Sequence, residues 1–404
     1  MTHSFFTGRA IRFSINFYPK VQITISDSQE SSGNISLIGS LILIIKGDAK
    51  VSAVEATPTR RFGQSSLQLP LLGFGAAPIG NLYQAVTNAV AHSAVATALE
   101  AGINYIDCAP HYGFGLAEQR VGNVLQQHPL REKALISTKV GRLLVPTQSS
   151  DKIRYGFVDA PALEPVFDYS YDAVMRSFHA SLKRLQCDRI DILLAHDLGE
   201  VTHGAAHPAR FREFMDGGYR AMQELRDNGL VGAIGLGANE WQVCEQALAH
   251  GDFDGFLLAG RYTLLEQSAA ESFLPLCARR KVSVIVGGVF NSGILASGVN
   301  GKGPFYYNYE PAPSAIIARV KSIENICQDF SVPLAAAALQ FPIAHPQICS
   351  VVAGFADSTQ VTQAAALMNT IIPAGFWSAL RDQALMSETA PLPGESLNAI
   401  ATGA

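Results

Sequence analysis

The most regular feature of this 404-residue chain is a repeated alternation of short apolar runs with longer amphipathic stretches, beginning near Arg60. Short apolar runs bounded by turn-forming residues are typical of buried strands, whereas the stretches between them have the length and periodicity of helices. The pattern therefore predicts eight strands in succession. They are Leu71–Gly75, Tyr105–Ala109, Ala134–Lys139, Ile190–Ala195, Ile234–Leu236, Gly255–Leu258, Val282–Val286 and Ile348–Val352.

Helices are predicted between these strands, and several of them end next to a glycine, as at Gly102 and Gly229. Strands that alternate with helices imply a parallel sheet. Eight units, with no glycine-rich dinucleotide-binding motif after the first strand, favour a single (β/α)₈ TIM barrel over an open doubly wound sheet. The predicted helices are Val86–Ala101, Leu116–Gln127, Tyr171–Leu185, Arg212–Asn228, Trp241–His250, Ala269–Arg279, Ser314–Phe330 and Thr359–Met368.

The remaining parts of the chain carry weaker signals. We expect residues 1–56 to form a flexible N-terminal extension, residues 57–387 the barrel, and residues 388–404 a loose C-terminal tail. The glycine- and tyrosine-rich stretch Gly288–Pro313 is longer than an ordinary connection and is predicted to fold over a ligand. The apolar run Ile35–Ile45 is shorter than the roughly 20 residues that cross a bilayer, so no membrane association is expected.

Composition narrows the range of functions. Hydrophobic residues make up 48% of the chain and charged residues 16%, which suits a globular protein with a large core. The formal net charge is −4 and no basic block stands out, so nucleic acid is not an expected partner. The six cysteines include no Cys-x-x-Cys pair, and no spacing in the chain resembles a metal site. We therefore expect reduced thiols, a cytoplasmic location and no metal.

Polar residues stand at the carboxyl ends of neighbouring predicted strands. Asp107 lies near the end of the second strand, Lys139 ends the third and His196 follows the fourth, while Tyr112 lies five residues beyond Asp107. In a parallel barrel, such residues face the active-site mouth. An Asp–Lys pair alone would more often be structural. With a tyrosine and a histidine at neighbouring strand ends, the four residues are predicted to form a catalytic centre.

These segments resemble the aldo-keto reductases over residues 60–368, because the strand–Asp–x₄–Tyr–Gly element, the strand-ending Lys and the strand-ending His occur in that family's order. The resemblance implies hydride transfer between a nicotinamide cofactor and a substrate carbon, with Tyr112 exchanging the hydroxyl proton. Because a phenol titrates at about pH 10, Lys139 is expected to lower the pKa of Tyr112 while Asp107 anchors the ammonium. His196 would orient the substrate oxygen.

Four further segments are similar to one branch of that superfamily, the D-threo-aldose 1-dehydrogenases (L-fucose or L-galactose dehydrogenases) and the pyridoxal 4-dehydrogenases. The resemblance implies oxidation of an aldose of the L-fucose, L-galactose or D-arabinose type at C1 to the lactone. A pyridoxal 4-dehydrogenase and a general aldehyde or ketone reductase remain as alternatives. The segments are Phe167–Ser170, Arg176–Ser177, Ser181–Leu185 and Asn291–Leu295.

The resemblance also implies contacts to the cofactor and the substrate. Asn239 matches the position that binds the carboxamide, although Ala238 and Ala259 stand where many relatives have Ser and Gln. No Lys or Arg occurs between positions 350 and 380 to pair with a 2′-phosphate, and Asp357 would repel one, so NAD is expected in preference to NADP. The further expected contacts are Tyr262 beneath the nicotinamide, the backbone amides of Ser292, Gly293 and Leu295 at the pyrophosphate, Gly354 near the adenosine end, and His111 in the substrate pocket.

Two other functions suit parts of this sequence. An aldolase would use Lys139 to form a Schiff base, and barrels support that chemistry. A non-enzymatic regulatory subunit would keep the fold without turnover, as some relatives of the family serve channels. The complete Asp–Tyr–Lys–His set argues against both. Small molecules of the sugar, aldehyde or alcohol class are the expected partners.

Overall fold

The computed structural model describes residues 58–394, and within them eight parallel strands close into a barrel. Each strand pairs with the next one along the chain, and the eighth returns to pair with the first. The predicted TIM barrel is confirmed, with strand ends that differ from the expected ones by a few residues. The strands are Leu72–Gly75 (β1), Tyr105–Asp107 (β2), Leu135–Val140 (β3), Ile190–His196 (β4), Val231–Ala238 (β5), Gly255–Ala259 (β6), Ser283–Gly287 (β7) and Ile348–Gly354 (β8).

Helices occupy the connections between these strands. In the described part of the chain they are Asn88–Glu100 (α1), Leu116–Leu125 (α2), Tyr171–Leu185 (α3), Glu200–His203 (α4), His207–Glu213 (α5), Tyr219–Asp227 (α6), Gln242–Leu248 (α7), Phe273–Arg280 (α8), Ile294–Ser297 (α9), Ser314–Asp329 (α10), Leu334–Gln340 (α11), Ser358–Met368 (α12) and Ala374–Asp382 (α13). The sequence pattern predicts neither α11 nor α13, which are short and each begin directly after a proline.

The single helix predicted over residues 212–228 is wrong in one respect. A π-helical segment, Phe214–Gly218, interrupts it and ends in two glycines. A Cβ on Gly218 would lie 2.5 Å from the Tyr169 carbonyl oxygen, so only glycine permits this close approach of helix and loop. Tight packing of Gly218 against Tyr169 therefore divides the helix. Helical periodicity in the sequence gives no sign of such a contact.

An apolar cluster fills the barrel interior and closes its amino-terminal end. The antiparallel hairpin formed by Thr59–Arg61 and Gln68–Pro70 precedes β1, and its connecting turn carries the fully buried Phe62. A Cβ on Gly255 would lie 2.2 Å from the Phe62 ring, so this glycine at the start of β6 leaves room for the ring. The other members of the cluster are Leu67, Leu69, Tyr105, Ile192, Leu194, Ala233, Leu257, Ile285, Cys349 and Val352.

An antiparallel excursion follows β3 and is called the β3 ribbon below. It pairs Arg142–Pro146 with Leu163–Phe167. Between these strands lies a small hairpin of Ile153–Arg154 and Phe157–Val158. A backbone bridge joins this hairpin to Leu82 in the loop after β1. The ribbon therefore lies beside the mouth of the barrel, on the side of the first three strands.

The long stretch Gly288–Pro313 after β7 contains a second hairpin, formed by Tyr306–Tyr307 and Glu310–Pro311. Its tip is anchored to the start of the same stretch, because the Tyr309 amide donates a hydrogen bond to Ser292 Oγ at 3.0 Å. The stretch thus has structure of its own. Its folding over a ligand stays a prediction.

The expectation of a loose tail from residue 388 is wrong where the structure describes it. Ala390 and Leu392 are buried in the main apolar core. The Arg381 guanidinium also donates a hydrogen bond to the Ala390 carbonyl at 2.9 Å. Apolar side chains at these two positions hold the segment against the barrel. The expected N-terminal extension and the end of the tail lie outside residues 58–394.

No single helix in residues 58–394 is both long enough and apolar enough to cross a membrane. By length and composition, Ser314–Asp329 passes such a test only together with Leu334–Ala344, and the two segments are bent by 104°.

Candidate active site

Side-chain alternation along the barrel strands decides which residues reach the mouth. Successive residues of a strand point to opposite faces, so positions two apart share a face. Tyr105 and Leu194 belong to the interior cluster, and Asp107 and His196 stand two residues beyond them. Lys139 reaches the same point from β3, because its ammonium bonds to Asp107. The strand-end rule therefore brings three predicted residues together at the carboxyl end of the barrel.

Lys139 links the predicted catalytic residues Asp107, Tyr112, Lys139 and His196, which are called the tetrad below. Its ammonium donates hydrogen bonds to Asp107 Oδ1 at 2.9 Å and Oδ2 at 2.8 Å. It also donates to the Tyr112 hydroxyl at 3.0 Å. Lys139 is 1% exposed and Asp107 is 3% exposed. A buried, neutralised ion pair thus holds the ammonium against the phenol oxygen.

The environment of Tyr112 raises the pKa of its phenol above the ordinary value of 10.0, mainly through burial and then through the negative charge of Asp107. In the protein alone, burial and the charge of Asp107 therefore outweigh the lowering expected from Lys139. Because both oxygens of Asp107 bind the ammonium, little net positive charge acts on the phenol. Tyr112 is held as a neutral phenol, the form that can donate a proton.

His196 completes the tetrad from β4. Its ring stands edge-on to the Tyr112 ring, with centroids 6.0 Å apart and planes at 89°. The Tyr169 hydroxyl donates a hydrogen bond to the His196 carbonyl at 2.7 Å and fixes the backbone. Burial lowers the pKa of His196 well below its usual value, and the charges of Arg142 and Lys139 lower it further. The imidazole is therefore neutral, and one ring nitrogen can donate a hydrogen bond.

His111 lies close to the tetrad, with its ring centroid 6.0 Å from that of His196. The ring packs edge-on against Phe157 of the β3 ribbon, at 5.3 Å between centroids. Burial and the charge of Arg142 lower the pKa of His111 to about 3. Its Nε2 lies 3.2 Å from Arg142 Nη1 and accepts that donor's hydrogen bond. Contact of His111 with substrate stays a prediction.

Two charged residues at the mouth are not among the predicted catalytic residues. Arg142 begins the β3 ribbon and Asp197 follows β4, and their side chains form an ion pair that is 15% and 9% exposed. The rule that singles out Lys139 and His196 applies equally to Arg142 and Asp197, which lie three residues and one residue further along the chain. Charged residues just beyond a strand end were therefore the available signal.

Asn239 follows β5 and is half-buried at the mouth. Its side-chain Nδ2 donates a hydrogen bond to Asp197 Oδ1 at 3.0 Å, and its backbone carbonyl accepts one from Arg261 Nε at 2.7 Å. Its side-chain oxygen accepts no hydrogen bond from the residues that the structure describes. That oxygen is therefore available to a ligand amide, which fits the expected contact with a carboxamide.

The inward mouth positions of β5 to β8 carry little or no side chain. A Cβ on Gly237 would lie 3.2 Å from Lys139 Cε, so even a methyl group would crowd the tetrad there. Residues this small add no bulk of their own to the mouth beside the tetrad. Each of these positions lies two or four residues beyond a member of the interior cluster. They are Gly237, Ala259, Gly287 and Gly354.

Tyr262 does not lie where the sequence interpretation puts it. The residue is fully buried, and its ring stacks on Phe341 with centroids 5.4 Å apart and an interplanar angle of 29°. His345 covers its edge at 5.3 Å. The ring is thus part of the packing between the loop after β6 and the segment after α11. Stacking beneath a nicotinamide is contradicted by this position.

The loop after β7 is predicted to contact the pyrophosphate of the cofactor. The backbone amides of Gly293 and Leu295 both donate to the Phe290 carbonyl, at 3.0 and 3.1 Å. Ser292 Oγ accepts a hydrogen bond from the Tyr309 amide. The amides of Gly293 and Leu295 therefore donate within the loop itself, and the contact of this loop with a pyrophosphate stays a prediction.

The region after β8 was expected to hold the adenosine end of a cofactor. Gly354 ends β8 and is exposed, and Asp357 directly precedes the helix α12. Asp357 Oδ1 accepts a hydrogen bond from the Gln360 amide at 2.9 Å, so the carboxylate caps α12. The repulsion of a 2′-phosphate by Asp357 stays a prediction.

The six cysteines are free thiols. Among residues 58–394, no three His, Cys, Asp or Glu side chains are grouped so that they could hold a metal ion.

Comparison with known proteins gives a family for this arrangement. The profile of the aldo/keto reductase family matches residues 71–383. A pyridoxal 4-dehydrogenase from Microbacterium luteolum is 41% identical over 344 residues, which cover 83% of this chain and 99% of that protein. A D-threo-aldose 1-dehydrogenase from a Pseudomonas species is 37% identical over 326 residues, which cover 80% of this chain and 96% of that protein.

Solved structures show the same fold. A glycerol dehydrogenase from Gluconobacter oxydans superimposes with a TM-score of 0.65 at 20% identity, covering 81% of this chain and 95% of that one. An aldo-keto reductase from Bacillus halodurans in its holo form gives a TM-score of 0.62 at 24% identity, with coverage of 84% and 99%. At these identities, the similarity concerns the fold alone.

Proposed function

The chain belongs to the aldo-keto reductase family, and from that premise we propose that this oxidoreductase removes a hydride from a cyclic hemiacetal. An aldose, which loses the hydride from C1 and becomes a lactone, is the first candidate substrate. The observation that carries the proposal is the contact of the Lys139 ammonium with both Asp107 and the Tyr112 hydroxyl. This contact fixes, at the mouth of the barrel, one phenol oxygen that can hold or release a proton.

A bound nicotinamide supplies the carbon that accepts the hydride in oxidation or returns it in reduction. Tyr112 handles the accompanying proton, taking it from the substrate hydroxyl in oxidation and giving it to the carbonyl oxygen in reduction. Lys139 and Asp107 keep the phenol oxygen in place, and the neutral His196 donates a hydrogen bond to the substrate oxygen. Oxidation thus breaks one C–H and one O–H bond of the substrate and forms its C=O bond.

The chain's own residues suit a nicotinamide beside the tetrad. Glycine or alanine at the inward mouth positions of β5 to β8 adds no bulk beside the tetrad, which suits the approach of a planar ring. The free side-chain oxygen of Asn239 can accept a hydrogen bond from a carboxamide. Residues on this side of the mouth would therefore bind the cofactor, and His196 and His111 on the other side would meet the substrate.

NAD is the proposed cofactor in preference to NADP. The strand β8, the helix α12 and their connection contain no Lys or Arg, whereas enzymes that use NADP commonly pair such a residue with the 2′-phosphate. Asp357 adds a negative charge at the start of α12. A free 2′-hydroxyl can donate to that carboxylate, and a 2′-phosphate is repelled by it. Six free thiols support a reducing compartment, and we propose the cytoplasm as the site of action.

Pyridoxal is the second candidate substrate. The 41% identity to a pyridoxal 4-dehydrogenase favours it, and the 37% identity to a D-threo-aldose 1-dehydrogenase favours an aldose. Both molecules carry an aldehyde and a hydroxyl group that close into a cyclic hemiacetal. Removal of hydride from the hemiacetal carbon gives a lactone in each case, so one site chemistry serves either substrate.

The experiment supplies NAD with L-fucose, L-galactose, D-arabinose or pyridoxal and follows the near-ultraviolet absorbance of the reduced cofactor. We expect turnover with at least one of these substrates and a product two hydrogen atoms lighter by mass spectrometry. A methyl glycoside of the active sugar is the matched control, because it keeps the ring and lacks the anomeric hydroxyl proton. Equal turnover of the glycoside, or turnover of open-chain alcohols alone, would contradict the proposed substrate class.

A further inference from the structure

The barrel mouth holds a second buried ion pair, which the proposed proton transfer does not use. Arg142 Nη2 donates a hydrogen bond to Asp197 Oδ2, and the two side chains are 15% and 9% exposed. Burying two charges costs free energy that their attraction returns only when geometry and hydrogen bonding are good. Neither residue bonds to the Tyr112 hydroxyl. The contacts that the pair makes with its other neighbours therefore indicate its role.

Asp197 shares its carboxylate between two sides of the mouth. Oδ1 accepts a hydrogen bond from Asn239 Nδ2 at 3.0 Å, and Oδ2 lies 3.4 Å from His196 Nε2. The backbone of Asp197 has a φ of 51°, which aspartate adopts more readily than most residues. The Tyr169 hydroxyl donates to the Asp197 carbonyl at 3.1 Å and holds this conformation. One fixed carboxylate thus contacts both the imidazole and the amide.

Arg142 is fixed equally well. Its guanidinium lies 4.8 Å above the Phe167 ring, and its Nη1 donates to His111 Nε2 at 3.2 Å. Gly141 turns the chain from β3 into the ribbon with a φ of 96°, and a Cβ there would lie 2.2 Å from the Tyr169 ring. Glycine is therefore required at this turn. The turn sets Arg142 over the mouth, three residues after Lys139.

We propose that Arg142 and Asp197 are a positioning pair that holds His196 for the substrate oxygen and Asn239 for the cofactor carboxamide. This inference rests on the proposed function, because it assigns the pair to the geometry of hydride transfer. A displacement of Asp197 moves the imidazole and the amide together. If the salt bridge only attached the ribbon to the barrel, contacts of the Asp197 carboxylate with His196 and Asn239 would not be required.

The pair also sets the charge that His196 experiences. Burial is the largest cause of the low pKa of His196, followed by the positive charges of Arg142 and Lys139. Replacing Arg142 by Gln removes one positive charge and leaves an unpaired carboxylate beside Nε2, so the pKa of His196 rises. Replacing Asp197 by Asn leaves that pKa low. The titratable and charged groups around the ring are Lys139 of β3, Arg142 of the ribbon, His111 and Tyr112 of the loop after β2, and Asp197.

The test compares wild-type protein with Arg142→Gln, Arg142→Lys and Asp197→Asn. The pKa of His196 is read from NMR spectra of histidine-labelled protein, with the signal assigned by its loss in His196→Asn. The kcat and KM of each variant are measured across pH with the substrate that the NAD experiment under the proposed function selects. We expect kcat to fall about 10- to 100-fold in Arg142→Gln and Asp197→Asn. An additional acid limb, absent from the wild-type profile, should appear in Arg142→Gln alone, and Arg142→Lys should not show it.

Arg226→Gln is the matched control. It breaks a comparable ion pair, in which Arg226 Nη1 lies 2.9 Å from Asp254 Oδ2 at the amino-terminal end of β6. We expect a lower melting temperature with an unchanged His196 titration and pH profile. An unchanged His196 titration in Arg142→Gln with kcat within about twofold of wild type would overturn the positioning pair. The NMR titration needs no turnover, so a failure of the proposed function shows separately, as wild-type protein that reduces no NAD.

Discussion

Lys139 donates a hydrogen bond to the Tyr112 hydroxyl over 3.0 Å while the same ammonium is neutralised by Asp107. The contact therefore fixes the position of the phenol oxygen more than it changes the charge around it. Burial then keeps the phenol protonated, with its pKa above the ordinary value. The protonated phenol of Tyr112 suits a proton donor in reduction. In oxidation Tyr112 must first lose its proton, which its raised pKa opposes.

Replacing Lys139 by Met should abolish turnover, because the phenol loses the group that holds its oxygen. The change leaves the Asp107 carboxylate buried without its cation, which lowers the free energy of unfolding by about 3–5 kcal/mol. Thermal unfolding and kcat are measured together. Borohydride treatment of wild-type protein with substrate should give no adduct on Lys139. A trapped adduct would revive the aldolase interpretation, and near-normal turnover by Lys139→Met would remove the residue from the mechanism.

The two directions of reaction should respond to pH in opposite ways. Reduction needs the phenol form of Tyr112, which its raised pKa preserves into the alkaline range, so the rate is lost only as pH rises through that pKa. Oxidation needs the phenolate, so its rate should increase with pH across the neutral and alkaline range. Initial rates of both directions with one substrate pair provide the test. An oxidation rate that decreases with rising pH would contradict this assignment.

Cofactor preference can be tested at Asp357 without losing the helix cap. Serine caps a helix nearly as well as aspartate and carries no charge, so Asp357→Ser removes the repulsion and keeps the hydrogen bond to the Gln360 amide. We expect wild type to favour NAD by kcat/KM and Asp357→Ser to narrow that preference about tenfold, through better use of NADP. A wild-type preference for NADP of about tenfold would overturn the interpretation of Asp357.

The barrel and the proximity of the tetrad are predictable because both depend on local patterns. Apolar runs report the buried strands, and polar residues at strand ends must meet at one mouth once the sheet closes. Asp107, Lys139 and His196 follow from that rule, and the Asp–x₄–Tyr spacing adds Tyr112. Arg142 is harder to find from the sequence, because the ribbon that carries it is broken by Pro, Gly and Ser and resembles an irregular loop.

The cofactor contacts are harder to predict because they depend on the direction of single groups in loops. Tyr262 follows β6, where its ring can face either the mouth or the surrounding helices. Its packing against Phe341 places the ring on the side of the helices. Likewise, the amides of Gly293 and Leu295 can point outward or close a turn. In the structure the Phe290 carbonyl accepts a hydrogen bond from each of them. The pKa of Tyr112 is also hard to predict from the sequence, since it depends on burial, which outweighs the cation beside the phenol.

The most direct test of the proposed chemistry measures kcat and cofactor affinity for Tyr112→Phe. This change removes the hydroxyl that Lys139 holds and almost no volume. The matched control is Tyr262→Phe, because the buried Tyr262 hydroxyl has no hydrogen-bond partner among the described residues.

We predict a loss of about 100-fold or more in kcat for Tyr112→Phe, with cofactor dissociation constants close to wild type and Tyr262→Phe fully active. Retention by Tyr112→Phe of more than about a tenth of wild-type kcat would contradict the role of Tyr112 as the proton-transferring group.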